Sequence, residues 1–300
     1  MKRLLALLTA LLLLSCLPLS ALSEAGVEEV IEDVMFYDPI PWADEIAPYP
    51  PHEECYLPDD AGYHDDSLDI RVETFRRDDS LVWAVYVRLS DPSQLRTGLA
   101  APYPSKKTQR VSDMAQRMNA VLAINGDYFS HHSQGIVVRN TALLRNQPHK
   151  GRDTLIIDEH GDFTIISPTT QKAWEAYQGT VIQAFCFGPG LVINGQALTS
   201  ARSVTIDLGK NKKTQRIAIG QTGPLEYLIL ACEGPEQDGS VGMTLVQFAA
   251  LCQEMGCINA YNLDGGSSTT IVLNGRKING LSSGKIRLVG DCIYFATLVP

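Results

Sequence analysis

The densest run of side chains able to do chemistry in this 300-residue chain is Asn262-Leu263-Asp264-Gly265-Gly266-Ser267-Ser268, with Thr269 and Thr270 behind it. Two glycines after an acid let the backbone turn sharply and approach a ligand closely. Ser267, Ser268 and Thr269 then offer hydroxyl and amide donors to a charged oxygen. Spacing alone fits equally well a tight turn in which Asp264 makes an Asx hydrogen bond. Without a following Gly-Lys the run is not a nucleotide P-loop.

Three further polar clusters sit in or at the end of apolar runs. Ala123-Ile124 leads into Asn125-Gly126-Asp127-Tyr128-Phe129, and Ala184-Phe185-Cys186-Phe187 leads into Gly188-Pro189-Gly190. Arg216 opens the apolar run Ile217-Ala218-Ile219-Gly220. A lone buried charge is costly, so Arg216 is expected to be paired and partly buried. Asn125-Gly126 taken alone is an ordinary hairpin turn.

Other chemistries fit less well. Adjacent residues on a strand point to opposite faces, so His131 and His132 are not expected to share a metal ion. Gly280-Leu281-Ser282-Ser283-Gly284 spells the nucleophile elbow, but it lacks the strand before and the helix after that the motif needs. Ser130 and Ser133 match no nucleophile motif. The cysteines show no paired Cys-x-x-Cys spacing, so no cysteine metal site and at most one disulfide, unassigned, are expected. No cofactor or metal is expected.

The elements that must position these residues read mostly as strands. Short apolar, β-branched or aromatic runs occur at 81–89, 120–124, 154–157, 181–186, 227–231 and 293–298. Asn194-Gly195 and Asn274-Gly275 each separate two strand-like runs, the strongest short hairpin signal, because both residues tolerate positive φ. Residues 244–255 place Leu245, Phe248, Ala249 and Cys252 on one helical face, with Thr244 to cap the start and Gly256 to end it. Residues 111–118 form a shorter helix candidate. Together these predict an α+β domain of mixed β-sheets with several hairpins and a few helices.

At the N-terminus, Lys2-Arg3 followed by an apolar run from Leu4 to Leu14 and then small residues reads as a signal peptide over 1–23. Cys16 offers a lipoprotein alternative. The apolar run is too short to span a bilayer, and no later stretch is long enough. Residues 24–66, rich in Pro, Tyr and acids, are expected to be a leader or spacer, with the domain over 67–300. The formal charge is −9, or −11 without Lys2 and Arg3. So acidic a chain is a poor non-specific partner for nucleic acid, whose phosphates need Lys and Arg. The location expected is secreted or cell-envelope associated, with no integral membrane segment after signal removal; the oligomeric state is not readable.

The order of the clusters resembles the phosphodiester glycosidase family over about Asp69 to Leu298. The blocks that carry the resemblance are Ala123-Ile124-Asn125-Gly126 with Tyr128-Phe129, Gly188-Pro189 with Leu191 and Asn194-Gly195, and Arg216 with Ala218-Ile219-Gly220. They continue with Gly242-Met243-Thr244-Leu245 and with Asn262-Leu263-Asp264-Gly265-Gly266, Ser268-Thr269 and Asn274-Gly275. Two departures stand out: Ser267 replaces a frequent third glycine, and Glu233-Gly234-Pro235 stands where an Asp-Gly-Arg is common. The resemblance implies hydrolysis of the glycosidic bond of a sugar-1-phosphodiester, releasing free sugar and a phosphomonoester. The substrate expected is a sugar phosphate or a cell-envelope glycan. Asp264 is then expected as catalytic nucleophile or base, and Arg216 as the phosphate contact. Asp127, with Glu233 behind it, is the second carboxylate. Substrate contacts are expected from Asn125, Gly126, Gly188, Gly265, Gly266, Ser267, Ser268 and Thr269. The rivals are a non-catalytic cell-wall glycan-binding module of the same fold, motivated by the missing arginine, and a phosphodiesterase that breaks the P–O bond.

Overall fold

Strict alternation of large apolar side chains lets three sheets share one interior. In the strand Leu122–Asn125, Leu122 and Ile124 enter the main core while Ala123 faces the opposite layer. In Arg216–Gly223, Ile217 and Ile219 enter the same core and Ala218 faces outward. Period-two burial of this kind fixes register, because a one-residue slip would expose every core side chain.

The structure is a computed structural model that describes residues 37–42, 47–200, 212–235, 238–281 and 284–300. The expected signal peptide, with Cys16, lies outside the described residues, as do the start of the leader and Ser282-Ser283. The described residues from 37 to 300 pack as one unit.

The large sheet has nine strands in the order Tyr56–Leu57, Gly62–His64, Leu68–Arg77, Ser80–Leu89, Glu226–Cys232, Arg216–Gly223, Asn259–Asn262, Gly190–Ile193 and Gln196–Ala197. A second sheet runs Phe163–Ile166, Thr154–Ile157, Gln183–Phe185, Gly135–Arg139, Ala142–Gln147. The third runs Arg276–Lys277, Ile271–Leu273, Leu122–Asn125, Asp291–Phe295, Leu95–Leu99. Pairings within all three are antiparallel among the described residues. Side chains from every sheet, among them Val85, Ile124, Leu155, Phe185, Tyr261 and Phe295, meet in the main core.

Both expected helices form. Leu245–Glu254 starts with a capping box between Thr244 and Gln247 and ends before Gly256, whose φ of +89° suits glycine. Its apolar face covers the outer side of the large sheet against Val82, Leu230 and Ala260. Val111–Arg117 sets Val111, Met114 and Ala115 against the outer side of the third sheet. A short helix, Gln171–Glu175, has no buried residue and so left no periodic signal. The two Asn-Gly turns are hairpins with positive φ at both residues, +49° and +76° at Asn194-Gly195 and +49° and +67° at Asn274-Gly275.

The described part of the 24–66 leader is tied down. Ile40 is buried beside Val111, and the Arg96 guanidinium donates to the Ile40 and Pro41 carbonyls at 3.3 and 2.9 Å. Tyr56–Leu57 and Gly62–His64 extend the large sheet. The six cysteines among the described residues are free thiols, five of them buried. No described helix is long and apolar enough to cross a membrane.

Truncation of Phe248, the largest fully buried side chain of the helix on the large sheet, is expected to cost about 3–5 kcal/mol. Urea denaturation of Phe248→Ala checks this, and a loss under about 1 kcal/mol would mean that the helix does not hold that face.

Candidate active site

Three of the four polar clusters turn out to lie where the chain leaves one sheet for the next. Residues 125–135 carry it from the third sheet to the second, 185–190 from the second to the large sheet, and 262–271 from the large sheet back to the third. These crossovers meet. Asn125 Nδ2 donates to the Asp264 carbonyl at 2.7 Å, and the Asp264 amide donates to the Gly126 carbonyl at 3.3 Å. The Cys186 amide donates to Asp127 Oδ2 at 2.8 Å, and Asn262 Nδ2 donates to the Gly188 carbonyl at 2.9 Å.

Beneath the junction lies a buried ion cluster that the sequence reading did not find. Arg139 Nη2 contacts Asp127 Oδ1 at 2.8 Å and Asp291 Oδ2 at 2.7 Å, with all three residues at most 3% exposed. The guanidinium also donates to the Val138 and Ala184 carbonyls and lies over the Phe185 ring, 4.2 Å from its centroid. Burial raises the Asp291 carboxyl above the usual carboxylate range against the pull of Arg139. Its Oδ1 has no hydrogen-bond partner and packs against Gly126, where a Cβ would sit 2.2 Å away. Gly126 is therefore required by a close approach of backbone to the Asp291 carboxyl.

This geometry reassigns several expected site residues. Asp127 accepts from Phe129 N, Arg139 Nη2 and Cys186 N and is fully buried, so it locks two crossovers together in place of serving as a second carboxylate. Glu233 likewise accepts from Trp83 Nε1, Gln215 Nε2 and Gly280 N and is 1% exposed. Asn125 accepts from the Thr270 amide at Oδ1 and donates from Nδ2 to the Gly126 and Asp264 carbonyls, and it is fully buried, so it braces the Asp264 loop. Arg216 is 3% exposed and donates to the Met243 and Lys212 carbonyls at 3.0 and 3.1 Å. Burial lowers its guanidinium to about 10. It opens the strand on which the Asp264 loop rests: Leu263 N donates to Ile217 O, and Gly266 N to Gln215 O.

Asp264 itself remains half-buried at the mouth of the junction. Burial pushes its carboxyl up to about 6; a hydrogen bond from Ser268 and the charge of Arg287 hold it back, and Asp127 adds to the rise. Gly265 lies where a Cβ would come within 2.8 Å of the Gln215 carbonyl, and Gly266 has a φ of +59°. Both glycines are demanded by the backbone path. Ser267 stays half-buried, and the buried Thr269 hydroxyl has no partner while its carbonyl takes the Lys277 ammonium. Burial brings Lys277 down to about 8, with Glu233 opposing.

Beside Asp264, the 125–135 crossover carries Tyr128 in the left-handed region at φ +63°, an uncommon conformation for a bulky residue. Its ring lies flat against His131, centroids 4.1 Å apart and planes 4° from parallel. The neighbouring His132 faces Arg152, whose Nη2 is 3.0 Å from His132 Nε2; burial, then the Arg152 charge, push this imidazole down to about 4. Of the residues missed, Arg139 had a visible signal, a charge inside the apolar run 136–139. Asp291 lies two residues before the strand expected at 293, and Arg287 sits in an exposed polar stretch with no pattern.

A family model described as phosphodiester glycosidase matches residues 118–296, more than half of the chain, and the chain belongs to that family. A Bacillus subtilis (strain 168) protein described as SPbeta prophage-derived uncharacterized protein YomE is 27% identical over 190 residues, 62% of this chain and 29% of that protein. The match thus spans less than a third of that relative. Among solved structures, the zebrafish N-acetylglucosamine-1-phosphodiester alpha-N-acetylglucosaminidase catalytic domain, auto-inhibited by its pro-peptide, superposes with a TM-score of 0.63 at 18% identity, covering 79% of this chain and 86% of that one. A hypothetical protein from Synechocystis gives 0.60 at 17% identity over 76% of this chain and 62% of that one. At such identities the likeness is one of fold.

Arg139→Met would leave two buried carboxylates without their cation, and a loss of roughly 3–5 kcal/mol in denaturant stability at neutral pH is expected. Those carboxyls would then bind protons more tightly folded than unfolded, so the deficit should shrink as pH falls from about 7 to about 5. A deficit that stays constant over that range would show that the carboxylates do not carry it.

Proposed function

We propose that the protein hydrolyses the glycosidic bond of a sugar-1-phosphodiester, releasing free sugar and a phosphomonoester. The observation that carries this reading is the Asp264 carboxyl, lifted to about 6 where the three crossovers meet, with the Arg287 guanidinium acting on it. Family membership supports the same reaction class.

Asp127 and Glu233 each accept from three donors, which leaves Asp264 as the carboxylate for the chemistry. As a general base it takes a proton from water while the water oxygen bonds to the anomeric carbon. The carbon–oxygen bond to phosphate breaks, and its electron pair leaves with the phosphate. The proton passes from Asp264 to solvent or to the phosphomonoester. A phosphomonoester is stable as an anion, so the leaving group needs charge stabilisation more than a strong acid. Arg287, whose charge acts on Asp264, would give it through charge-assisted hydrogen bonds, the role the sequence assigned to Arg216. The Arg216 guanidinium instead donates to the Met243 and Lys212 carbonyls. A base near 6 is ionised at neutral pH and still able to accept a proton.

The signal over 1–23 supports export to the cell envelope or beyond, with processing there as a further part of this proposal.

Asp264→Asn is expected to lower kcat on a sugar-1-phosphodiester by roughly 10²–10⁴ with the fold intact by circular dichroism. For the wild type, kcat/KM should fall as pH drops through about 6, because protonation removes the base. Full turnover by Asp264→Asn, or a flat profile through that range, would remove Asp264 from the chemistry.

A further inference from the structure

The 125–135 crossover, whose Gly126 carbonyl accepts the Asp264 amide at 3.3 Å, also lines a cleft of about 450 Å³ that the 103–106 segment and the strand Ala142–Gln147 complete. Its character is unlike that of the chain around it. The sequence holds 34 acidic residues against 25 Lys and Arg, yet among the described residues no carboxylate lines this cleft. Lys106 and Arg145 give it positive charge, and His131 and His132, whose imidazoles burial pushes down, line it as neutral hydrogen-bonding groups. We propose that the cleft receives the leaving-group side of the substrate and selects one that carries a second phosphate beyond the scissile one. This rests on the reading of Asp264 as the hydrolytic centre.

Three observations carry it. The first is uncompensated charge. Arg145 is 8% exposed and directs its guanidinium to the Gly135, Phe129 and His132 carbonyls and to Cys186 Sγ, with no carboxylate in contact among the described residues. Carbonyl oxygens satisfy its hydrogen bonds but leave its full positive charge to act on whatever enters the cleft.

The second is continuity with the reacting centre. The Arg287 charge acts on both Asp264 and His131, and the Lys106 charge also acts on His131. The 125–135 crossover, which accepts the Asp264 amide at the Gly126 carbonyl, reaches the cleft at Phe129 to Ser133 with Lys106 across from it, so the substrate proposed here runs from Asp264 along this crossover. Sugar lies against Asp264, the scissile phosphate against Arg287, and the next anion between His131 and Lys106. Lys106, His131 and Arg287 are all exposed, so a ligand reaches them without rearrangement of the core.

The third is rigidity. His131 is held by the flat stack on Tyr128, and its Nδ1 lies 3.1 Å from the Ser130 hydroxyl. Ser130 in turn abuts Gly290, where a Cβ would meet its Oγ at 2.7 Å, which ties the crossover to the segment that bears Arg287. Tyr128 keeps its strained φ of +63° only because its surroundings over-determine it, and such strain gathers at ligand sites. A preset array of this kind discriminates by charge without first having to be ordered.

The shared chemistry is a phosphate one short linkage past the scissile diester. It occurs directly attached, as in a nucleoside diphosphate sugar, or one alcohol away, as in a glycerol-phosphate-extended sugar diester. The test measures kcat/KM for both and for the methyl diester of the same sugar-1-phosphate, in the full chain and in Lys106→Glu. Pyrophosphate binding is followed by calorimetric titration in the absence of substrate. At least one charged substrate should exceed the methyl diester by roughly tenfold, and Lys106→Glu should abolish that advantage while changing the methyl diester less than about twofold. Which of the two gains identifies the spacing. Pyrophosphate should bind the wild type, more weakly as salt rises, and lose roughly tenfold in Lys106→Glu. Equal kcat/KM for all three substrates, or pyrophosphate binding unaffected by Lys106→Glu, overturns the proposal. Pyrophosphate binding that is lost in Lys106→Glu, with no substrate hydrolysed, sustains the anion site and instead sinks the hydrolytic reading of Asp264.

Discussion

The Arg139 guanidinium ties the second sheet to the third, and its partner Asp127 carries the tie on to the crossover that leads to the large sheet. It is supplied by the second sheet and reaches Asp291 at the start of a strand in the third, Asp127 in the crossover between them, and the Ala184 carbonyl beside the 185–190 crossover. A cation buried between two carboxylates gains little over an apolar core of equal volume, but loss of one partner is severe. Such a cluster acts through geometry: it admits one arrangement of the crossovers and penalises the others. Phe129 and Phe185 cover the guanidinium and keep water from loosening it.

The site inherits its shape from that cluster. Asp127 anchors the Cys186 amide, Asn125 anchors the Asp264 carbonyl and the Thr270 amide, and Gly126 lets both loops close over the Asp291 carboxyl. Asp264 is thereby held half-buried without a bonded cation, the environment that raises a carboxyl toward neutrality. The polar residues of the crossovers thus divide into a buried set that fixes backbone, Asn125, Asp127 and Asn262, and an outer set, Asp264, Ser267 and His131, that can touch a ligand.

Much of this was legible in the sequence, and what was not has physical reasons. The clusters at Asn125, Gly188 and Asp264 stood out because a strand that must leave its sheet ends in turn-forming and polar residues. The two Asn-Gly hairpins and the capped helix at Thr244 are local decisions and were read correctly. Roles were harder to read, because an acid reads alike whether it meets solvent or three buried donors. Asp127 and Glu233 are of the second kind. Arg216 carried the right signal of a charge on an apolar strand, but Arg139 carried the same signal and forms the ion cluster. Arg287 acts only through the fold that brings its loop beside Asp264, and no local pattern marks it. The strands Tyr56–Leu57 and Gly62–His64 are too short for alternation to show amid their prolines and acids.

The claim that Asp264 faces the sugar carbon and Arg287 the phosphate is tested most directly by hydrolysis of a sugar-1-phosphodiester in water labelled with heavy oxygen, followed by mass analysis of both products. Attack at the anomeric carbon puts the label in the released sugar and none in the phosphomonoester. Label in the phosphate would mean that the phosphorus–oxygen bond breaks, and the assignment of both residues would be reversed.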